Sequence, residues 1–279
     1  MKLPDEFVFT QSNLQDYVDC PYRFYLKYFL RLKWPALIVD DAIDFELRGQ
    51  AGARFHRLAH QYLLGLPEER LSESANADPY PDIPIWWENF LTYIPPHLAG
   101  ERHPELTLTA SIDDSQLAAK YDLVLVENKS ALIIYDWKTS QKRPRKSSLL
   151  DRIQTRLYRY VLVRAGSALT QSLSIEPDQV SMRYWFANHP ESFVDIGYDH
   201  TAYEQDDKFF TQMIKEIQEK EPIGFTRTDD IRKCRYCIYR SHCDRGTRAG
   251  TLDGFEEFEL DPDDFELDFD FDDIAEIQF

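Results

Sequence analysis

The sequence predicts an α/β domain in which a three-strand meander lies between helices and is followed by two further strands. Three apolar segments between 106 and 137 are separated by Asp113-Asp114-Ser115 and Asn128-Lys129-Ser130, which are typical turn residues. Apolar residues at helical spacing over 148–165 predict a long helix after the meander. The meander strands are expected at 106–112, 118–126 and 131–137, and the later strands at 180–187 and 193–196.

Extra helices are expected around this core. Residues 7–10 are expected to be extended, with Ser12 as the N-cap of a first helix and Pro21 ending that helix or opening the next. The three prolines within 72–84 predict a loop. Further helices are predicted at 44–66, 86–94 and 203–220.

The acidic side chains are concentrated at the C-terminal end of the chain. The 279 residues carry a net charge of −17, but 253–279 holds 13 acidic and no basic side chains. The preceding residues carry 36 acidic against 32 basic side chains, so their charge does not exclude a nucleic-acid partner. We therefore expect a single domain over 1–252 and an acidic tail over 253–279 that is disordered when alone.

The acidic tail is compatible with three roles. It could keep the protein soluble, it could dock onto a partner, or it could mimic DNA on a basic surface of the domain. In the last case, aromatic rings would take the positions of stacked bases. The aromatic residues of the tail are Phe255, Phe258, Phe265, Phe269, Phe271 and Phe279.

Targeting signals and cysteine usage both predict a cytoplasmic protein. There is no run of 18 or more apolar residues, so no membrane span is expected. The first residues lack an apolar signal region. Four cysteines in a cytoplasmic chain indicate metal binding or reactivity rather than disulfide bonds.

A charged pair closes the last strand of the meander. Asp136 and Lys138 are two residues apart, so both side chains lie on one face of a strand, while Tyr135 and Trp137 lie on the other. A carboxylate beside an ammonium group at a strand end can hold a divalent cation and orient a water molecule. Such a pair is also common as an exposed ion pair that contributes little to stability.

The hairpin register adds a second carboxylate to this pair. If 128–130 forms a three-residue loop, Glu127 pairs with Ala131 and Asp122 lies opposite Asp136. Opposed residues in antiparallel strands have Cβ atoms about 5 Å apart, where two carboxylates repel each other. A cation bound between them would remove that repulsion.

The helix after the meander carries polar and basic residues. Gln154 and Tyr158 are four residues apart and share one face. The segment 142–164 holds eight basic residues against Asp151 alone, which predicts a surface for a phosphate backbone. The basic residues are Lys142, Arg143, Arg145, Lys146, Arg152, Arg156, Arg159 and Arg164.

Together these motifs resemble the PD-(D/E)xK nuclease superfamily, and in particular its RecB/AddB-like branch. The resemblance covers roughly 7–245 and implies a restriction-endonuclease-like core. The residue before Asp122 is Tyr121, where many members have proline. The matching segments are 12–26, Gly52-x3-His56, Asp122, Asp136-Trp137-Lys138, Gln154-x3-Tyr158 and the cysteines.

The resemblance implies a role for each matching residue. Asp122, Asp136 and the Trp137 carbonyl would ligate Mg²⁺ or Mn²⁺, with His56 as a further ligand. Lys138 would orient and help to deprotonate the attacking water. Gln154 and Tyr158 would position the DNA strand. Taken singly, each of these residues also has an ordinary structural explanation, and His60 competes with His56 for its role.

The cysteines resemble an iron–sulfur clasp that joins the N- and C-terminal parts of the domain. Their spacing is Cys234-x2-Cys237-x5-Cys243, with Cys20 far away in sequence. Spacing alone also fits Zn²⁺, with His242 able to replace one thiolate. The resemblance favours a [4Fe–4S] cluster with a structural role.

The implied activity is metal-dependent DNA hydrolysis in repair or recombination, by an exonuclease acting on single-stranded DNA or duplex ends. A helicase or a single-stranded DNA-binding protein would act with it in trans, since the chain has no phosphate-binding loop of its own. Two alternatives are a catalytically quiet DNA-binding or scaffold subunit of a helicase–nuclease complex, and a nuclease of CRISPR adaptation.

Overall fold

The described part of the chain is a central sheet with helices on both faces. The computed structural model describes residues 3–4, 6–33, 40–170 and 173–246, and only the backbone within 40–46. The acidic tail at 253–279 lies outside these residues, so its expected disorder stays a prediction.

Six strands form one mixed sheet within the described residues. They are β1 (Val8–Phe9), β2 (Glu101–Ile112), β3 (Ser115–Glu127), β4 (Ala131–Lys138), β5 (Val180–Phe186) and β6 (Phe193–Gly197). β2 pairs with nearly all of β3, and β4, β5 and β6 follow in that order. β1 pairs with the first half of β3 on the edge that β4 uses in the second half. The β1–β3 and β4–β5 pairs are parallel and the others antiparallel.

Helices cover both faces of the sheet. They are α1 (Gln11–Asp19), α2 (Pro21–Phe24), α3 (Asp40–Leu63), α4 (Glu68–Asn76), α5 (Ile83–Tyr93), α6 (Lys146–Leu150), α7 (Ile153–Ala165) and α8 (His200–Glu219). The buried residues of α1, α2, α7 and α8 pack on one face, and those of α3, α4 and α5 on the other. α2 continues into a π-helical turn, Tyr25–Phe29. No described helix combines the length and the apolar character that crossing a bilayer requires.

The predicted order of helix, three-strand meander, helix and strand is confirmed, and so is the α/β class. The fold is consistent with the restriction-endonuclease-like core that the resemblance implies. Glu127 pairs with Ala131 as predicted. The turn residues Asn128 and Lys129 have φ angles of 50° and 66°, a left-handed conformation that asparagine tolerates well.

Two predictions near the N-terminus and around the prolines are wrong. The first helix is capped by Thr10, whose side chain accepts from Asn13 N, and not by Ser12. Part of the loop predicted at 72–84 is helix α4. Leu71 and Ala75 lie four residues apart and are buried together, and two glutamates in the first turn favour the helix N-terminus. The prolines come only after this helix ends.

Two further elements differ from their predicted extents. β2 begins at Glu101 and runs through Pro104, which is tolerated because β2 pairs only with β3 in the described chain. The helix predicted over 148–165 is two helices, α6 and α7, because Arg152 is extended between them (φ −66°, ψ 139°). Thr155 Oγ1 donates to Leu149 O at 2.5 Å and fixes the break. The break places the first turn of α7 at the end of β4.

Candidate functional site

The candidate site lies where β3 changes its neighbour. β1 pairs with β3 at residues 116–117 and β4 pairs with it at 123–127, so β3 between these stretches lacks a strand on that edge in the described chain. The last pair on the β4 side is Leu123 with Tyr135. Asp122 and Asp136 follow directly beyond this last pair, and the charge of Asp122 acts on Asp136. The predicted pairing of the two residues across the strands stays a prediction.

The backbone is irregular at Asp122. Tyr121 packs in the core on the α7 side of the sheet, whereas Leu123 packs in the core on the α3 side. The alternation of side chains is therefore broken at Asp122. Glu105, opposite Asp122 on β2, has a φ of 50°. This irregularity lets Asp122 contact residues that come from the α3 side of the sheet.

Asp122 is held by two hydrogen bonds. His56 Nδ1, from α3, lies 3.0 Å from Asp122 Oδ1, and Trp137 N donates to Asp122 Oδ2 at 2.8 Å. Burial favours a higher pKa for Asp122, but the charge and hydrogen bond of His56 and the Trp137 amide outweigh it, so the pKa lies below its ordinary value. Asp122 is therefore a carboxylate.

Asp136 and Lys138 form a buried charged pair on the same face of β4. Their side chains are 3–4% exposed, and Lys138 Nζ lies 3.2 Å from Asp136 Oδ2. Gln154 Nε2, in the first turn of α7, donates to Asp136 Oδ1 at 2.7 Å. The predicted meeting of Gln154 with the acidic motif is thus found, although its predicted role toward DNA is untested.

The environment of Asp136 opposes ionisation. Burial raises the pKa of Asp136 to about 7; Lys138 favours the charged form, and the Asp122 charge opposes it. Asp136 Oδ2 is buried with Lys138 Nζ at 3.2 Å, and Gln154 Oε1 is buried and accepts no hydrogen bond from the described residues. Buried oxygens of this kind are costly unless something pairs with them.

The donor atoms of this site fit a divalent cation. Carboxylate oxygens are the preferred ligands of Mg²⁺, and Asp122 and Asp136 lie close enough for the charge of one to act on the other. Within the described ranges, no three His, Cys, Asp or Glu side chains are already arranged around one point as a metal site.

Tyr158 and Trp137 are buried in the two cores. Tyr158 is 2% exposed, and its ring packs against Tyr121 with a centroid separation of 5.1 Å. Its predicted role in positioning a DNA strand stays a prediction, with the ring in the core of this conformation. The Trp137 indole packs against Phe90 and Tyr135, as the alternation along β4 predicted.

Three arginines of the predicted basic surface belong to the structure of the domain. Arg156 Nε bonds Asp206 Oδ1 at 2.5 Å. Arg159 is 3% exposed and donates to Gly197 O at 2.7 Å. Arg164 donates to Ser111 O at 2.8 Å. The prediction of one continuous basic surface from Lys142 to Arg164 is therefore wrong, because α7 uses these cations to hold α8, β2 and β6.

Arg164 is exposed at the end of this segment, and four further exposed basic residues lie earlier in it. We call them the basic strip, which consists of Lys142, Arg143, Arg145 and Lys146. The basic strip begins four residues after Lys138. Helical periodicity could not separate these residues from the arginines of α7, because the partners of the latter come from distant parts of the chain.

The four cysteines line a single cavity. Its wall also holds five cationic side chains, which favour anionic groups such as thiolates. Thr228 N donates to Cys20 Sγ at 3.5 Å, and Arg245 Nη1 to Cys234 Sγ at 3.2 Å. Without a metal, burial raises the pKa of Cys237 to about 11. The cations are Arg23, Arg227, Lys233, Arg240 and Arg245.

Two residues near the acidic site were not found from the sequence. Tyr184 lies beside Asp136 in the parallel β4–β5 pair. Its hydroxyl is 2.6 Å from Thr155 Oγ1, so it links β5 to the start of α7. No local pattern marks either residue, since the parallel register depends on the crossover through α6 and α7.

The chain matches one family and two solved structures can be compared with it. The sequence model of the PD-(D/E)XK nuclease superfamily matches residues 8–244. No curated protein matches the chain. A crystal structure of a candidate exonuclease from Eubacterium rectale is 11% identical, covers 83% of this chain and 88% of its own, and has a TM-score of 0.47. The crystal structure of SSO0001 is 12% identical, covers 82% of this chain and 84% of its own, and has a TM-score of 0.38.

Proposed function

The chain belongs to the PD-(D/E)XK nuclease superfamily, and we propose that it is a metal-dependent deoxyribonuclease that hydrolyses phosphodiester bonds. The observation that carries this proposal is the group of Asp122, Asp136, Lys138 and Gln154 at the point where β3 changes its neighbour, in which all but the partly exposed Asp122 are buried. Keeping a carboxylate and a lysine out of water beside a second carboxylate is costly for a fold. A catalytic site accounts for that cost, whereas a surface ion pair does not.

Each residue of the site has a chemical task in this proposal. Asp122 and Asp136 would hold Mg²⁺ or Mn²⁺, with His56 and the Trp137 carbonyl as further ligands. A cation held there would supply a lowered pKa of a bound water molecule and stabilisation of the leaving oxygen. Lys138 orients the attacking water and stabilises the negative charge that develops on the phosphate oxygens. Gln154 keeps the Asp136 carboxylate in place through the 2.7 Å hydrogen bond.

We further propose that the chain belongs to the RecB/AddB-like branch and carries an iron–sulfur cluster on Cys20, Cys234, Cys237 and Cys243. Four thiols with surrounding cations suit an anionic cluster. Zn²⁺ is the alternative occupant. A cluster would tie the N-terminal helices to the segment after α8, and anaerobically purified protein should then be brown.

The activity test uses end-labelled linear single strands, linear duplexes and circles, with Mg²⁺ or Mn²⁺ and anaerobically purified protein. We expect linear DNA to be degraded and circles to survive, as for an exonuclease. Asp136→Asn should slow cleavage by on the order of 10³-fold, comparable with losing a main transition-state contact. Asp151→Asn, an exposed acid in the same crossover, is the matched control and should be fully active.

Two results would contradict the proposal. Cleavage that Asp136→Asn and Asp151→Asn affect equally would place the active site elsewhere. Specific DNA binding without any cleavage by the wild-type chain would favour the catalytically quiet subunit instead. Thermal unfolding of both variants shows whether a loss of activity comes from a loss of the fold.

A further inference from the structure

We propose that the acidic tail at 253–279 binds to the basic strip beside the active site and competes there with the phosphate backbone of DNA. The competition rests on the proposed function, whereas the contact between tail and basic strip does not. Three features support this contact: the position of the basic strip, the pairing of the other cations, and the length and charge of the tail.

The basic strip is held next to the acidic site. Asn188 Nδ2 donates to Thr139 O at 2.9 Å and to Ser140 O at 3.2 Å, which fixes the backbone just after Lys138. Arg143 Nη2 donates to Phe193 O at 3.2 Å at the start of β6. The backbone just before the strip and the Arg143 side chain are therefore anchored, and all four basic residues are exposed. Because the strip begins four residues after Lys138, a polyanion bound there lies close to the acidic site along the chain.

Other cations near the site are less suited to bind a polyanion. The arginines of α7 are engaged by Asp206, Asp207 and backbone carbonyls. Arg227 and Arg245 donate to Cys243 O and Cys234 Sγ at the cysteine cavity. All four residues of the basic strip are exposed and lie within five consecutive positions, Arg143 also donates to Ser192 Oγ and Phe193 O, and Asp151 is the only acid within 142–164. The basic strip is thus a concentrated positive surface close to the acidic site.

The tail has the charge and the length to occupy this surface. It holds 13 acidic and no basic side chains, and 33 residues follow Gly246. A chain of that length can span up to roughly 110 Å when fully extended. A domain of this size has a radius of gyration of roughly 18 Å. The tail can therefore reach the basic strip of its own chain, where its high local concentration favours binding.

The contact itself is tested by zero-length carbodiimide cross-linking of the dilute full-length protein, without DNA or metal. The reagent joins a carboxylate to a lysine only when the two are in contact. Mass spectrometry of the monomer band should find tail acids joined to Lys142 and Lys146, and this product should decrease at high salt. Lys208 and Lys215, which are exposed on α8, serve as internal controls. Tail links that favour the control lysines, links in dimers alone, or no tail links would overturn the proposal.

The competition is tested by DNA binding in EDTA, so that cleavage plays no part. In the full-length chain, changing the 13 tail acids to Asn or Gln should tighten DNA binding about tenfold near 50 mM salt, and the gain should vanish near 500 mM. Neutralising the basic strip should remove that gain. The strip variant is Lys142→Gln, Arg143→Gln, Arg145→Gln and Lys146→Gln, and its charge-matched control is Arg70→Gln, Lys129→Gln, Lys208→Gln and Lys215→Gln.

The outcomes separate this inference from the proposed function. Cross-links to the basic strip in a protein that cleaves no DNA would support the tail contact and reject the nuclease. Full cleavage activity with no effect of the neutral tail on DNA affinity would support the nuclease and reject the competition. An equal gain in the strip variant and in its charge-matched control would show a general charge effect and also reject it.

Discussion

The acidic site and the cysteine cavity are built in different ways. Asp122 and Asp136 lie on neighbouring strands, and hydrogen bonds from Trp137 N and Gln154 Nε2 fix both carboxylates. The cysteines come from the end of α1 and from a segment of short turns after α8. There the thiols accept N–H···S hydrogen bonds of 3.2–3.5 Å, and Lys233 pairs with Asp19 at 3.1 Å between the two segments. The acidic site is fixed by the register of two neighbouring strands. The cysteine site forms only when the segment at the end of α1 meets the segment after α8.

The difference predicts which of the two proposed metal sites needs a bound metal for stability. A sheet keeps its register through backbone hydrogen bonds, so the acidic site is formed before any cation binds. The cysteine segment has little regular structure, and more than 200 residues separate Cys20 from Cys234. A group that joins such distant thiols stabilises the fold by closing a long loop. We therefore expect the cation at the acidic site to serve catalysis and the cluster to serve the fold.

The largest expected effect is on stability at the cysteines. Cys237→Ala should remove the colour of the anaerobic protein and lower the unfolding midpoint by on the order of 10 °C, because bound metal contributes directly to folding. Ser241→Ala, in the same segment, is the control and should leave both unchanged. EDTA should abolish cleavage with little change in the unfolding midpoint. Equal stability of Cys237→Ala and wild type would remove the distinction between the two sites.

A smaller effect is expected at Gln154, which acts through Asp136. Gln154→Ala should lower kcat by roughly 10–100-fold, as for other residues that orient a metal ligand. KM for DNA should change little if Gln154 touches Asp136 and not the substrate. Gln205→Ala, exposed on α8, controls for general effects. A rise in KM at constant kcat would instead assign Gln154 to DNA binding, as the family resemblance implies.

The smallest effect is expected at Tyr17, which anchors α1 near Cys20. Its hydroxyl donates to Glu216 Oε1 at 2.6 Å, and burial, followed by this hydrogen bond, raises the pKa of Tyr17 to about 12. In the unfolded chain a tyrosine ionises near pH 10. The unfolded state therefore releases a proton first, and the stabilisation by the neutral Tyr17 hydroxyl decreases from about pH 10 to pH 12.

Tyr17→Phe keeps the ring and removes this titration. Its free energy of unfolding should be lower than that of the wild type by about 1 kcal/mol near pH 8, where the hydrogen bond is intact. The difference should shrink as the pH rises above 10. Denaturant unfolding of both proteins at several pH values measures it. A constant difference across that range would show that the Tyr17 hydroxyl does not titrate as proposed.

Local patterns in the sequence were sufficient for the meander and the acidic pair. Alternating side chains placed Asp136 with Lys138, and the turn residues fixed the register up to the pair of Leu123 with Tyr135, next to Asp122 and Asp136. These inferences succeed because hairpin geometry depends on residues close together in sequence. The Gln154-x3-Tyr158 motif of the family resemblance placed Gln154 near the acids. The break before α7 was not predicted.

Tertiary structure decided which charged residues belong to a site and which to the core. Arg156 and Arg159 looked like part of a DNA-binding surface, but their partners Asp206 and Gly197 lie some 40–50 residues later. His56 reaches Asp122 only because the side-chain alternation breaks there, and Tyr184 lies beside Asp136 only through a parallel crossover. Charge and periodicity describe a residue and its near neighbours. Burial and pairing depend on segments that meet only after folding, so the sequence alone could not determine them.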